Sequence, residues 1–210
     1  MVTGGDEPVS TWVLGYDGFD PHREGLREAL CTLGNGYFAT RGAAPEARAD
    51  EVHYPGTYVA GCYNRLVTEV AGRSVVNEDI VNVPNWLPMT FRIGDGDWFD
   101  VRRLDLLDYR QELDLRRGVL TRAVSCRDPA GRVTRVVQRR FVDMAHPHVA
   151  ALEATIVGEN WSGPIEVRSF LDGTVTNSGV ARYRGLRGDH LVPVEQGDLG
   201  GGAMYLQVQT

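Results

Sequence analysis

The residues best suited to binding chemistry lie in a glycine-rich segment near the start of the sequence. Residues 33–42 read LGNGYFATRG and place Asn35, Tyr37 and Arg41 among glycines. Amide and guanidinium groups hydrogen-bond hydroxyl groups, and an aromatic ring offers an apolar face, so this set could contact a sugar. The segment could equally hold a strand corner, because glycine allows tight turns with positive φ.

A second segment has a similar character. Residues 82–88 read NVPNWLP and place Asn85 and Trp86 between two prolines, which makes the segment a rigid loop. An indole face and an amide also suit carbohydrate contact, although the same loop could simply fix the packing of neighbouring strands.

The other candidate groups do not form a recognisable site. His146 and His148 are two residues apart but have no third metal ligand nearby in the sequence. Asp95, Asp97 and Asp100 resemble the start of a calcium loop but lack its bidentate glutamate. We therefore predict no catalytic residue, no metal site and no bound cofactor in this chain.

Composition excludes several classes of function. The 210 residues carry 22 basic residues, all arginine, against 28 acidic ones, for a net charge of −6, which argues against nucleic-acid binding. Apolar runs are too short to span a membrane, and the first residues lack the pattern of a secretory signal, so we expect a cytoplasmic protein. Cys31, Cys62 and Cys126 are too widely spaced to indicate a disulfide framework or a zinc site.

The elements that would position these loops are predominantly strands. Glycine and proline separate short runs rich in Val, Leu, Thr and aromatic residues. Three pairs of runs predict hairpins: 66–70 with 74–76, 88–93 with 98–101, and 119–127 with 133–142. Further strands are predicted at 149–157, 165–171, 181–186, 191–195 and 203–209. This spacing predicts an all-β, large antiparallel sandwich.

One segment competes as a helix. Residues 22–33 place Leu26, Ala29, Leu30 and Leu33 on one helical face, although an extended edge strand also fits. Residues 1–10 are interpreted as a loose leader, and residues 11–210 as a single domain. The alternating final segment, 204–210, suggests that the sandwich is the N-terminal part of a longer enzyme.

An ordered set of short motifs resembles the N-terminal domain of glycoside hydrolase family 65, which contains maltose, trehalose and kojibiose phosphorylases and hydrolytic relatives. The matching motifs are EAL at 28–30, LGNGY at 33–37, RG at 41–42, PGTY at 55–58, VPNWL at 83–87, LDL at 113–115, RF at 140–141 and LDG at 171–173. Two departures are Ala29, where the family usually has serine, and the Ala39-Thr40 pair, where it has glycine.

The resemblance implies a galactose-mutarotase-like super-sandwich followed by a linker and a catalytic (α/α)6 barrel that holds the general acid and the phosphate site. The chain has no segment that could supply a barrel, so it is expected to be inactive alone. Its parent would invert an α-glucosidic bond in a disaccharide, with inorganic phosphate or water as nucleophile, and could form a homodimer. Asn35, Tyr37, Arg41, Asn85 and Trp86 would then face the barrel or the entrance of its site.

Two alternatives from other classes remain open. The aromatic residues Trp12, Tyr37, Trp86 and Trp161 could make the chain a stand-alone carbohydrate-binding module. They could also anchor an interface in a pure assembly or dimerisation element.

Overall fold

The structure, a computed structural model, describes residues 11–178 and 185–210. Within these residues the chain consists mainly of antiparallel strands with one short α-helix, which confirms the predicted all-β class. The predicted leader at 1–10 and residues 181–184 of a predicted strand lie outside the described residues. No helix in the described part of the chain has the length and apolar character that crossing a bilayer requires.

Fourteen strands, a helix and a 3-10 turn make up the described part of the chain. The strands are β1 Val13–Asp17, β2 Leu33–Gly34, β3 Phe38–Thr40, β4 Thr57–Val59, β5 Tyr63–Val70, β6 Arg73–Ile80, β7 Met89–Ile93, β8 Asp105–Asp114, β9 Val119–Arg127, β10 Val133–Val142, β11 Ala150–Gly158, β12 Ile165–Ser169, β13 Val192–Gly200 and β14 Ala203–Gln209. The helix α1 spans Glu24–Leu30, and the 3-10 turn spans Val101–Arg103.

The largest sheet has five strands in the order β1-β8-β9-β10-β11. Burial alternates along β9 and β10, so one face of this sheet points into the core, as a pleated strand requires. On that face Tyr109, Val124 and Val136 pack with Phe91 and Phe99, whose rings stack 4.9 Å apart. Since Phe91 belongs to β7, which pairs with β12, this cluster joins the five-stranded sheet to a second layer.

The hairpin predictions have different outcomes. The hairpins β5–β6 and β9–β10 are confirmed, the latter with the predicted bounds. The pairing of 88–93 with 98–101 is wrong, because β7 pairs with β12 and no strand forms at 98–101. The backbone bond from Phe99 N to Phe91 O, 2.8 Å long, does bring the two segments together. Asp100 then accepts a bond from Arg102 N and turns the chain into the 3-10 turn.

The helix forms, but its orientation is the reverse of what its apolar spacing suggests. Glu24, Arg27 and Glu28 are buried, whereas Leu26 and Leu30 are 56% and 51% exposed. The charged side faces inward because its groups form hydrogen bonds there. In particular, the carboxylate of Glu28 contacts His53 Nδ1 and Tyr54 N. The apolar side of α1 is therefore part of the surface.

Gly25 within α1 and Gly42 beside it allow a matched test of packing. A Cβ added at Gly42 would lie 2.6 Å from Cys31 Cβ and 3.1 Å from Glu28 O, whereas one added at Gly25 would meet Val52 O at 3.9 Å. We expect Gly42→Ala to destabilise the fold by about 1–3 kcal/mol through overpacking. Gly25→Ala should stabilise it by about 0.5–1 kcal/mol, because alanine is the better helix former. Urea unfolding measures both changes, and equal effects would contradict this assignment.

Candidate functional site

The predicted loop residue Asn35 lies in the turn between β2 and β3 and ties two loops together. Its Oδ1 accepts bonds from Tyr37 N and Phe38 N at 3.0 and 2.8 Å, which closes the turn. Its Nδ2 donates to Asp143 O at 2.6 Å and to Pro147 O at 3.2 Å. Asn35 therefore fixes the glycine-rich turn against the loop that follows β10.

Tyr37 lies at the tip of the same turn and is 38% exposed. Its ring packs edge-on against His148, with the ring centroids 4.5 Å apart. His146 is occupied differently, because its Nδ1 lies 3.2 Å from Asp143 Oδ2. The two histidines thus have separate partners, and among the described residues no three His, Cys, Asp or Glu side chains form a possible metal site.

The second predicted loop is fixed by backbone pairing. Asn85 forms an antiparallel bridge with Asp172, with N–O distances of 2.8 and 2.9 Å, and its Oδ1 accepts a bond from Leu87 N. The ring of Trp86 lies 6.4 Å from that of Phe38 in β3, so this loop packs next to the glycine-rich turn. The indole Nε1 of Trp86 is buried and has no hydrogen-bond partner among the described residues.

Arg41 lies apart from the other four predicted residues, which belong to the glycine-rich turn and the Asn85 loop, and it contacts α1 and Tyr54 instead. Its Nε donates to Tyr54 O at 2.8 Å and its Nη2 to Gly25 O at 3.0 Å. The guanidinium also lies over the Tyr54 ring, 5.2 Å from the centroid, and 3.8 Å from Glu28. These contacts hold Arg41 between α1 and the segment that leads to β4.

Arg41 borders a polar crevice of about 640 Å³. The crevice brings together phenol, carboxylate, amide and guanidinium groups, which are the groups that bind hydroxyl-rich ligands. Its polar lining includes Arg41, Asp50, Tyr54, Tyr58, Asp79, Asn177 and Arg187. Sequence reasoning missed most of this set, although the concentration of Asp, His and Tyr in residues 50–58, DEVHYPGTY, is a usable signal.

The ionisation of the crevice groups is set by their neighbours. Burial raises the pKa of Tyr58 above its ordinary value, so this phenol stays protonated and can donate a hydrogen bond. Burial alone would also raise the pKa of Asp50, but the N–H groups of His53 and Val52 and the guanidinium of Arg102 bring it below its ordinary value. Asp50 is therefore a carboxylate near neutral pH, which suits an acceptor and not a general acid.

The tryptophan residues do not line one common surface. Trp12 lies at the turn between β8 and β9, where its carbonyl accepts a bond from Leu115 N. Trp161 lies at the other end of β9 and donates its Nε1–H to Val133 O at 3.1 Å. Nine residues of extended strand separate these ends by about 27 Å. Trp12 and Trp161 therefore cannot form one sugar platform.

A charged layer lies inside the fold, between the cluster around Tyr109 and a second hydrophobic cluster of the main sheet that contains Leu113, Leu120 and Val142. Arg122 forms a bidentate ion pair with Glu46, with N–O distances of 3.0 and 2.7 Å, and both side chains are 5% exposed. Arg122 also donates to Gln138 at 2.9 Å and to the Tyr109 hydroxyl at 3.3 Å. This geometry satisfies a guanidinium that is otherwise shielded from water.

Arg140 lies in the same layer but has a weaker partner. Its Nη1 donates to Ala43 O at 2.6 Å, and the side chain is buried. Burial and the nearby charge of Arg122 lower the pKa of Arg140 to about 10. The layer thus holds two neighbouring cations and depends on Glu46 for its charge balance.

Comparison with known proteins places these features in context. Residues 14–210 match the model of "Glycosyl hydrolase family 65, N-terminal domain". The chain is 52% identical over 190 residues to an uncharacterized glycosyl hydrolase of Mycobacterium tuberculosis. This alignment covers 90% of the chain and 14% of the hydrolase. It is 32% identical over 206 residues to a kojibiose phosphorylase of Halothermothrix orenii. This alignment covers 98% of the chain and 24% of the phosphorylase.

Two further similarities agree with these. The chain is 35% identical over 179 residues to a trehalose 6-phosphate phosphorylase of Lactococcus lactis, covering 82% of the chain and 22% of that protein. The fold matches a solved structure named "Putative kojibiose phosphorylase from human microbiome" with a TM-score of 0.80 at 21% identity, over 95% of this chain and 25% of that one. The chain spans between 14% and 24% of the length of these curated relatives.

Proposed function

The chain belongs to the N-terminal domain family of glycosyl hydrolase family 65, and from this premise we propose that it is the non-catalytic β-sandwich domain of an inverting α-glucoside phosphorylase or hydrolase. The partner of the sandwich is then a catalytic (α/α)6 barrel in the same polypeptide. The substrate is a disaccharide, inorganic phosphate is the co-substrate of a phosphorylase, and no other cofactor is needed. The proposal places the enzyme in the cytoplasm and allows a homodimer.

The observation that carries the proposal is the match over residues 14–210 together with the small share of each relative that the chain covers. The named relatives are phosphorylases of kojibiose and trehalose 6-phosphate, and each has more than three quarters of its length outside the aligned region. A domain that recurs in enzymes with different substrates is suited to a shared structural task rather than to substrate choice.

The chemistry of the crevice is consistent with a non-catalytic role. Inversion at a glycosidic carbon requires a carboxylic acid that protonates the leaving oxygen while phosphate or activated water attacks the opposite face. Asp50 has a pKa below its ordinary value and is held by two backbone N–H groups and Arg102, so it is a poor acid. Glu24 has a pKa raised by burial, but it is enclosed and paired with Arg27.

The predicted loop residues have positioning tasks in this proposal. Asn35 holds the turn that presents Tyr37, and the bridge at Asn85 holds Trp86 beside β3. We assign Tyr37 and Trp86 to the surface that faces the barrel or its entrance. Arg41, which is fixed by Tyr54 and Gly25, would support that surface from within the domain.

Activity measurements on two proteins test the proposal. The purified 210-residue chain, incubated with phosphate and maltose, trehalose or kojibiose, should release neither glucose nor glucose 1-phosphate. The full polypeptide encoded by the same gene should release glucose together with glucose 1-phosphate if it is a phosphorylase, or glucose alone if it is a hydrolase, with inversion at the anomeric carbon visible by NMR. Turnover by the chain alone would overturn the proposal.

The crevice beside Arg41 favours one second candidate, a carbohydrate-binding module. A hydroxyl-rich ligand could bind its phenol and guanidinium groups without any barrel. Isothermal titration of the chain with the same three disaccharides separates the two functions. Affinity that disappears in Tyr54→Phe/Tyr58→Phe would favour the binding module, and no heat with any of them would exclude this function for those sugars.

A further inference from the structure

We infer that the outward side of α1 is the surface on which this domain receives the rest of its polypeptide, with Leu26 and Leu30 as its two anchors. The inference rests on the proposed function for the existence of a second domain, and it names the contact surface that the proposal leaves open. The partner it requires is an apolar patch on the part of the polypeptide that lies beyond this domain.

The first observation is the reversed orientation of the helix. Leu26 and Leu30 are one helical turn apart and project on the same side, with Ala29 also exposed between them. A surface helix normally turns such an i, i+3, i+4 set toward the core and its charged residues toward water. Here three charged residues take the inward position, so the apolar stripe is left without cover in the described part of the chain.

The second observation is that the helix cannot roll to bury its leucines. The carboxylate of Glu28 lies 2.8 Å from His53 Nδ1 and accepts a bond from Tyr54 N at 2.9 Å. Arg27, on the same inward side, donates to Gly18 O at 2.6 Å and to Glu24 at 3.0 Å. Rolling the helix would break these bonds and leave the charges unpaired in the interior, which is far more costly than exposing leucine.

The third observation concerns contacts from the next segment, which fix the helix along its length. Arg41 Nη2 donates to Gly25 O at 3.0 Å near the start of α1, and Gly42 N donates to Glu28 O at 2.7 Å near its end. Because these residues close the glycine-rich segment, α1 and the turn that carries Tyr37 form one rigid unit. The exposed leucines and the proposed barrel-facing tyrosine therefore belong to a single preformed element.

We take the remainder of the polypeptide as the occupant of this surface, because most of the length of the matched phosphorylases lies outside the region that aligns with this chain. The matched phosphorylases have 76% and 78% of their length outside the aligned region, since the chain covers 24% and 22% of them. A covalently attached domain is present at high effective concentration, so two leucines and an alanine can suffice as anchors where a free partner would need a larger apolar area. A second copy of this chain is the competing occupant and is an outcome of the test.

The test compares Leu26→Gln/Leu30→Gln with the control Leu115→Gln, a leucine that is 53% exposed but lies outside α1. Glutamine keeps helix propensity. In the full polypeptide, calorimetry should show one cooperative transition for the wild type and the control, and two for the double variant. Limited trypsin digestion should release the N-terminal domain at least tenfold faster from the double variant. In the 210-residue chain the double variant should melt within about 2 °C of wild type.

The outcomes separate the inference from the proposed function. A double variant that keeps a single transition and wild-type digestion would overturn the inference while leaving the activity of the full polypeptide, and thus the proposed function, intact. A 210-residue chain that sediments as a dimer, and becomes a monomer in the double variant, would assign the surface to a second copy and overturn it as well. If the double variant melts early in the short chain, Leu30→Gln alone is used for the same comparison.

Discussion

Replacing Glu46 with alanine is expected to lower the free energy of unfolding by about 3–5 kcal/mol, because it leaves Arg122 without a counter-charge in the interior. Both side chains are 5% exposed, and burial opposes the charge on Arg122 while Glu46 raises the pKa of that guanidinium. Removing Glu46 also leaves Arg122 and Arg140 as two neighbouring buried cations. For a domain of this size the melting temperature should fall on the order of 10 °C.

Two comparisons make this prediction specific to the buried pair. The double variant Glu46→Leu/Arg122→Met removes both charges, and it should recover most of the loss because a buried pair can be replaced by apolar side chains of similar volume. Glu153→Ala breaks the exposed pair with Arg139, whose side chains are 60% and 59% exposed, and should cost less than about 1 kcal/mol. Chemical denaturation that finds the two single variants equally stable would refute the assigned role of Glu46.

Replacing Glu28 with glutamine should destabilise the fold by about 3 kcal/mol at pH 6 and by clearly less at pH 8.5, because it removes the partner of buried His53. Burial alone would lower the pKa of His53, but the hydrogen bond and charge of Glu28, with Asp50 and Glu24, raise it above its ordinary value of 6.5. A raised pKa contributes stability that is fully present below pH 6.5. That stability is lost as the pH rises through the folded-state pKa.

The wild-type chain should therefore lose stability as the pH rises above about 6.5, and His53→Gln should remove this loss. His146→Gln is the matched control for the loss of a histidine, because the side chain of His146 is 74% exposed beside Asp143, whereas His53 is buried. Burial also raises the pKa of Glu24, and the stability linked to Glu24 begins to fall near its ordinary pKa of 4.5, which is below the onset at 6.5 for His53. Urea unfolding at several pH values measures the slope, and a slope that persists in His53→Gln would assign it to another group.

The parts of the fold that depend on neighbouring residues could be predicted from the sequence. The hairpin of β9 and β10 has its predicted bounds because the signals are local. The side chain of Asp128 accepts bonds from Ala130 N and Arg132 N within the turn, and Gly131 takes the positive φ of 82° that closes it. The LGNGY motif is also local in character, since Asn35 Oδ1 accepts bonds from Tyr37 N and Phe38 N within the turn.

The parts that could not be predicted depend on partners far away in the sequence. The spacing of Leu26 and Leu30 indicates a helix, but the side that is buried is decided by Glu28, whose partners His53 and Tyr54 lie 25 and 26 residues away. The crevice has the same origin, because it joins Arg41 to Asp79 and Arg187 from separate segments. The sequence suggests Arg41 as a candidate binding residue, but it contains no local signal that would place these groups around it.

The position of β1 at the edge of the main sheet has a consequence for synthesis on the ribosome. β1 is made before the other strands of the described residues, yet among those residues it pairs with β8 alone, and Asp17 pairs with Arg110, 93 residues later. At roughly 5–20 residues per second, translation leaves this strand waiting about 5–20 s for its partner. The nascent chain should thus fold from the meander β8–β11 outward and accept β1 late, so early release from the ribosome or chaperone depletion should expose β1 first.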